Sequence, residues 1–429
     1  MKKTADVIII GGGPAGSTAA TTLAKKGRSV LVFEKDKFPR FHIGESLLPH
    51  SMLALEKLGL KEKIEKAGFQ EKFGGEIQSS CGTRGVQFYF KNGFEAKHGK
   101  AIQVLRSDFD KLLLDHSREC GAEVHEETSV TEILYHSDGV TVHTKTKDGT
   151  ENEYRARYLI DCSGRNTLVG QKHNLKQAYT DLQKFAVYAH FTGVLRPEGE
   201  EGTLTRMVRG EDRWFWMIPL ANGIMSIGVV MDTAIYRAQK QKPEDLLETA
   251  MAREPMIMSR MENSKRVSQV YASGDYSYRN TRLYGDQWLL AGDAAGFIDP
   301  IFSSGVFLAI LSGEHSANAI DAALTDPHAQ KKQFHLYDRR LNKVMDLYLR
   351  FVRSWYTKEF VEIFLHPTDM LSLAPAVNAV LAGNTGGSFA LKWRLWLFQF
   401  LVRLQRFLPI CPRLTLIPGP ATPANAETP

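Results

Sequence analysis

Four β-prone apolar residues, Val7-Ile8-Ile9-Ile10, end in Gly11-Gly12-Gly13-Pro14-Ala15-Gly16, and small helix-compatible residues follow at once. A buried strand must therefore give way to a helix within a few residues, through a glycine turn. The pattern G-x-G-x-x-G at Gly11, Gly13 and Gly16 is weak alone, but here it follows a strand at 6–10 and opens a helix at 17–26. Gly11 permits the tight turn, Gly13 lets backbone approach a pyrophosphate, and Gly16 lets helix and strand pack closely. The helix start offers free N–H groups and a positive dipole end to phosphate. A second strand at 29–33 ends in Glu34, about 20 residues on, where an acid binds an unphosphorylated ribose. That favours FAD or NAD over NADP. The alternative is a glycine turn with no ligand, and the alignment of strand, turn, helix and acid weighs against it.

A distant motif selects FAD. Leu289-Leu290-Ala291-Gly292-Asp293-Ala294-Ala295 reads as a buried strand ending in Gly-Asp before small residues. A carboxylate there can accept hydrogen bonds from a ribityl chain, and the small residues let a helix approach a flavin. Pro300-Ile301-Phe302-Ser303-Ser304-Gly305 then leads into a helix at 306–313, whose N–H groups face the flavin's pyrimidine edge or an anion beside it.

The remaining pattern predicts an α/β chain: a Rossmann-like FAD-binding domain of the glutathione-reductase type, an inserted, mostly antiparallel β-sheet domain, and a helical C-terminal region. The FAD-binding pieces are 1–73, 106–182 and 276–329, and the substrate sheet comprises 74–105 and 183–275. Helices fill 330–415, and a Pro- and Ala-rich tail at 416–429 is expected to be disordered. Residues 50–68 read as helical, and 106–118 as an amphipathic helix. Alternation at Phe185, Val187, Ala189 and Phe191 predicts half-buried strands. The segment 389–408 mixes Trp393, Trp396, Phe398 and Phe400 with Lys392, Arg394, Arg403 and Arg406. Such a helix can lie on a membrane surface, but the reading favoured here packs it over the two main domains.

Composition narrows the class. With 43% hydrophobic and 24% charged residues over 429, the chain has the balance of a soluble protein with two or more domains. The net charge of +6 is not gathered into a basic arm, which argues against nucleic acid. Cys81, Cys120, Cys162 and Cys411 lack C-x-x-C spacing, so neither a metal site nor a disulfide framework is expected, and a reducing cytoplasm suits them. The apolar run at 7–10 is too short for a secretory leader.

These residues resemble the flavin-dependent halogenases, within the para-hydroxybenzoate-hydroxylase-like flavoproteins, over roughly 5–320. The wider group is signalled by the glycine motif, by Arg106-Ser107-Asp108-Phe109-Asp110, by Asp161-Cys162-Ser163-Gly164, and by Gly292-Asp293. Three features narrow it. Phe38-Pro39-Arg40-Phe41-His42-Ile43-Gly44-Glu45-Ser46-Leu47-Leu48-Pro49 is similar to the strap that crosses the flavin in halogenases and geranylgeranyl reductases. Trp214-Phe215-Trp216-Met217-Ile218-Pro219 matches the halogenase W-x-W-x-I-P pattern at every fixed position. Glu71-Lys72-Phe73-Gly74-Gly75 is similar to the segment carrying the halogenase lysine. Each has a plainer reading: the Trp pair as core, and Lys72 as one more solvated charge.

The resemblance implies that FAD is held by Gly11, Gly13, Pro14, Ala15, Gly16, Glu34 and Lys35, with Ser46 in the strap. Arg106 and Val130 would contact the adenosine half, and Gly292, Asp293, Pro300, Gly305 and Val306 the remainder. Ser304 and Gly305 would bind the halide. Trp214, Trp216, Ile218 and Pro219 would shield the flavin from organic substrate, and Phe302 would line the substrate pocket. In this family reduced FAD, O2 and chloride or bromide yield hypohalous acid, and Lys72 would be the catalytic residue that passes halogen to an aromatic ring. The reduced FAD would come from a separate NAD(P)H flavin reductase. Tryptophan-specific members carry a glutamate where this chain has Phe302, which points to a phenolic or pyrrolic ring, carrier-tethered or free. An aromatic hydroxylase, a geranylgeranyl-reductase-like enzyme and a non-enzymatic flavoprotein remain as rivals.

Overall fold

β1 (Lys3–Ile10), α1 (Pro14–Lys25) and β2 (Val30–Phe33) form the expected start, with β1 and β2 parallel and Val7 opposite Val30. Gly11 sits at φ +101°, and a Cβ there would lie 2.3 Å from the Cys162 carbonyl oxygen. A Cβ at Gly16 would lie 1.9 Å from the Gly11 carbonyl oxygen, so both positions exclude a side chain. The structure is a computed structural model and describes residues 3–274, 277–366 and 370–416. The tail expected to be disordered lies outside these residues, apart from Leu416.

The helical stretch expected at 50–68 is two helices, α2 (Pro49–Lys57) and α3 (Lys61–Ala67). The turn Leu58-Gly59-Leu60 separates them, as a glycine in a helix interior favours. Four short strands follow: β3 (Gln70–Lys72), β4 (Gly74–Ser79), β5 (Gly85–Tyr89) and β6 (Ala101–Gln103). Next come α4 (Arg106–Glu119), β7 (Glu123–His125), β8 (Thr128–His136), β9 (Gly139–Thr146) and β10 (Glu151–Asp161). The second β-rich stretch holds β11 (Lys184–Thr192), β12 (Thr205–Arg209), β13 (Arg213–Pro219) and β14 (Met225–Asp232), then α5 (Pro243–Ala252). β15 (Trp288–Leu290) returns to the first sheet. The chain ends in α6 (Ser304–Thr325), α7 (Gln330–Trp355), α8 (Lys358–Phe364), α9 (Leu373–Leu381) and α10 (Phe389–Phe407).

The first sheet is ordered β7-β2-β1-β10-β9-β8, with β15 on β10. β2, β1, β10 and β15 run parallel, so the glycine turn after β1, Asp161 at the end of β10 and Gly292 after β15 gather at one edge. That is the crevice where open α/β sheets bind ligands. The second sheet runs β11-β14-β13-β12-β4-β5.

Its strands are not half-buried as the alternation suggested. Val187, Ala189, Phe191, Phe215 and Met217 pack under Leu246, Leu247 and Ala250 of α5. The opposite face, with Ala186, Tyr188, Met207, Trp214 and Trp216, joins the core shared with the nucleotide sheet. A sheet covered on both faces loses its polar side, and the period-2 signal no longer separates core from solvent. Expected over the two main domains, α10 instead packs, through Leu391, Leu395, Phe398 and Val402, against α8 and α9 of the C-terminal region. Among the described residues no helix is long and apolar enough to cross a membrane, and no cluster could hold a metal ion.

Candidate active site

The turn between β1 and α1 is an open anion cradle. Gly13 caps α1 without a side-chain bond, and Pro14 stands at a position where its missing N–H costs nothing. The nearest heavy atom to a Cβ built at Gly13 is Arg40 Nη2, at 3.5 Å, whereas Ala15 and Gly16 are buried. A pyrophosphate fits that opening. Glu34 is buried at the end of β2, where its carboxylate accepts from the N–H of Gly12 at 2.7 Å and of Asp36 at 2.9 Å. It stiffens the turn and keeps lone pairs for a ribose. Lys35 is exposed beside it. Val130 is half-buried on β8, two residues past Thr128, whose N–H donates to the Glu34 carbonyl at 2.8 Å.

Arg106 is tied within the protein. Its Nε and Nη2 donate to Asp110 at 2.7 and 2.9 Å, and Nη1 donates to the Ile43 carbonyl at 2.8 Å. The guanidinium thus fastens the strap to α4. At the third edge element, the Gly292 N–H donates to Ser312 Oγ at 2.7 Å. The Asp293 carboxylate has no hydrogen-bond partner among the described residues, and burial pushes it up to about 6 against the opposing pull of Arg106 and Arg165. An open acceptor beside Gly292 and Ala294 suits the hydroxyls of a ribityl chain. Cradle, ribose acid and open acceptor all fit FAD.

Lys72 ends β3 and is buried. Its Nζ donates to Ser46 Oγ at 2.7 Å and to the Leu47 carbonyl at 3.3 Å, and it lies 5.3 Å from the centre of the Phe90 ring. Behind it runs a buried polar chain. Ser46 Oγ is 3.1 Å from Thr205 Oγ1, which donates to Gln103 Oε1 at 2.8 Å, and Gln103 Nε2 donates to the Thr203 carbonyl at 2.8 Å. No carboxylate joins this chain, and burial alone lowers the amine from 10.5 to about 7. Lys72, Phe90, Thr205, Phe302 and Ser303 line one cavity of about 20 Å³. That is room for a water-sized molecule and none for a ring.

Pro300 opens a single turn, Pro300–Phe302, and Ser303 (φ +54°) hands the chain to α6. Ser304 is buried and its hydroxyl has no partner, while nothing lies within 4 Å of a Cβ built at Gly305. The first N–H groups of a 22-residue helix meet an unused hydroxyl there, which suits a halide. Val306 belongs to the apolar cluster that also holds Leu47 of the strap and Phe109. Phe302 is buried, 6.3 Å from Phe351 and 6.1 Å from Trp355 in edge-on contact.

Trp214 and Trp216 share one face of β13 with their ring centres 5.9 Å apart, and Pro219 is buried while Ile218 is half-buried. They stand one strand away from the Lys72 cavity, with Trp216 opposite Met207, which does line it. Trp214 Nε1 donates to Tyr356 Oη at 3.0 Å, and Tyr356 Oη donates to Asp299 Oδ2 at 2.7 Å. The Trp wall is therefore tied to the loop that leads into α6. Three partners had no sequence signal: Gln103, Tyr356 and His190. His190 Nε2 lies 2.6 Å from Glu45 Oε1, and the other Glu45 oxygen is buried without a partner. Only Glu45 stood inside a recognisable motif.

The FAD binding domain family matches residues 4–351. The chain belongs to it and is an FAD-dependent oxidoreductase. It is 36% identical over 340 residues to a 1H-pyrrole-2-carbonyl-[peptidyl-carrier protein] brominase of Pseudoalteromonas luteoviolacea, covering 78% of this chain and 81% of the relative. It is 31% identical over 381 residues to the corresponding chlorinase of Pseudomonas fluorescens, with 84% and 83% covered. A solved flavin-dependent brominase superposes with a TM-score of 0.85 at 30% identity, over 94% of this chain and 100% of that one. A flavoprotein/dehydrogenase from Cytophaga hutchinsonii gives 0.87 at 29%, over 94% and 99%. The chain belongs to the flavin-dependent halogenases, with FAD as cofactor and O2 and halide as co-substrates.

Proposed function

We propose that this chain halogenates a pyrrolic or phenolic ring presented on a carrier protein, and that Lys72 delivers the halogen. One observation carries the reading: the Lys72 amine and the Ser303 turn share one small cavity. When bound, reduced FAD with O2 and chloride or bromide supplies hypohalous acid, a molecule that fits where a ring does not. The Ser304 hydroxyl and the N–H of Gly305 hold the halide at the helix start, and Lys72 meets the oxidant across the cavity. With the amine at about 7, both protonation states are present near neutral pH. The ammonium polarises the oxidant by hydrogen bonding. The amine exchanges N–H for N–halogen and releases water, and transfer to the ring replaces a ring hydrogen and restores the N–H.

Trp214 and Trp216 shield the flavin from organic substrate. Phe302 leaves Lys72 without the glutamate of tryptophan-specific enzymes, so the ring must be activated by its own nitrogen or oxygen. The pyrrole-carrier names of the two bacterial relatives support a tethered pyrrole. A separate cytoplasmic NAD(P)H flavin reductase supplies the reduced FAD. The test is incubation with FAD, a flavin reductase, NADH and bromide, offering free phenols and pyrroles beside a pyrrolyl carrier protein. Brominated product in the wild type, lost in Lys72→Met while FAD binding persists, is the expected result. Oxygenated or saturated products formed without halide would overturn it.

A further inference from the structure

A groove of about 910 Å³ separates α7 from α10. Its walls follow helical spacing: Lys343, Leu347, Arg350 and Ser354 on one side, Lys392, Trp396, Phe400 and Arg403 on the other. Trp396 is 68% exposed, stacked on Phe400 with ring centres 5.7 Å apart. Large aromatic groups held in the open beside cations are the composition of a recognition surface. Arg353 and Arg406 are neutralised by Asp181 and Glu359. Lys343, Arg350, Lys392 and Arg403 have no carboxylate partner among the described residues, so both walls carry uncompensated positive charge. Phe351 lines the groove and touches Phe302 edge-on at 6.3 Å, and Phe302 lines the Lys72 cavity. Two buried rings, Phe351 and Phe302, therefore lie between the outer groove and the Lys72 cavity.

The geometry points to this groove as the docking site of an acidic carrier protein, whose phosphate-linked arm and acidic face meet the cations of α7 and α10. The inference rests on the carrier-tethered substrate proposed above and adds where the partner binds. Cations on both walls complement an acidic helical partner and the arm's phosphodiester. The site is concave, with a floor closed by Phe351 stacked on Phe398 and by Ser354 donating to Gln399 Oε1 at 2.8 Å, whereas a membrane would engage a convex face.

The experiment uses full-length enzyme and a peptidyl carrier protein bearing pyrrole-2-carbonyl thioester, with a free phenol as the untethered control. Arg350→Glu and Arg403→Glu reverse exposed charges and leave the core untouched; Trp396→Ala removes the aromatic wall. Each reversal is expected to raise both the carrier Kd and the KM for the tethered ring about tenfold, with kcat and bromination of the free phenol unchanged. Added salt should weaken carrier binding in the wild type and less so in the Arg350→Glu/Arg403→Glu double variant. If the wild type brominates the tethered ring and the reversals match it, the docking site falls while the substrate reading stands. If the wild type brominates only the free phenol, the tethered reading falls and takes the docking site with it. Reversals that abolish only binding to anionic phospholipid vesicles, or only self-association in sedimentation, would give the groove to a membrane or to a second copy and overturn the proposal.

Discussion

A buried lysine without a carboxylate makes a quantitative demand on the folded state. Lys72 titrates at about 7 in the native protein, against 10.5 for its ordinary value. The difference corresponds to about 5 kcal/mol, at 1.36 kcal/mol per unit. Between these values the unfolded chain holds a proton that the native chain does not, so stability rises with pH. The contribution is fully present above 10.5 and is lost as pH falls through about 7. Lys72→Met removes this dependence. The variant should be the more stable at neutral pH, and its advantage should shrink by about 1.4 kcal/mol per pH unit going upward. Urea unfolding of both apoproteins at pH 7, 8 and 9 measures it; because the native amine is half protonated at pH 7, the gap should narrow by about 2 kcal/mol over that interval. Lysine-selective NMR adds a direct reading, since one side-chain resonance should titrate near neutrality and vanish in the variant. A stability gap that stays constant from pH 7 to 9 would refute the argument that burial alone sets this amine.

The other predictions concern the loop into α6. Ser304→Ala removes the buried, unpartnered hydroxyl at that helix start and should raise the KM for halide roughly tenfold or more, a lost charge-assisted bond being worth about 1.5–3 kcal/mol. FAD affinity, followed by fluorescence titration, should not move. Asp299 is held up to about 6 by burial, so its stabilising share is complete below the ordinary value of 3.8 and is lost as pH rises through 6. Asp299→Asn should flatten that part of the stability profile, by about 2 kcal/mol between pH 4 and 7. An unchanged slope would mean that the Tyr356 hydrogen bond, which favours the ionised form, outweighs burial.

The nucleotide half was legible because each requirement falls on adjacent residues. Gly11 and Gly16 leave no room for a Cβ, and Glu34 follows a four-residue strand, so local sequence carries the geometry. Lys72 could be placed only by its flanking Glu71 and Phe73-Gly74-Gly75; nothing local reveals that Ser46, Thr205 and Gln103 converge behind it from 26, 133 and 31 residues away. The same holds for Tyr356, which reaches Asp299 and Trp214 from the end of α7 and belongs to no motif. Arg106 illustrates a different limit. Its position in the motif was readable, but its bonds to Asp110 and Ile43 depend on how the strap folds over α4. The double burial of the second sheet was hidden because α5, which covers its far face, comes more than ten residues after the last strand it covers.

Phe302 connects the chemistry to the choice of substrate. A glutamate at that position would place a negative charge at the Lys72 cavity, stabilise the ammonium and move the amine back toward its ordinary value. With Phe302 there, the neighbours of Lys72 are a hydroxyl, a carbonyl and an aromatic ring, and none of them supplies a counter-charge. The neutral form of the amine therefore stays accessible near pH 7, as the proposed halogen transfer requires, while the help a carboxylate gives in polarising the oxidant is lost. Such a site must take its remaining driving force from the ring itself. On the proposed function a pyrrole or phenol supplies that force, and holding it on a carrier raises its effective concentration at the site. On the function proposed above, the same buried aromatic residue links the protonation of the lysine to the class of ring it attacks.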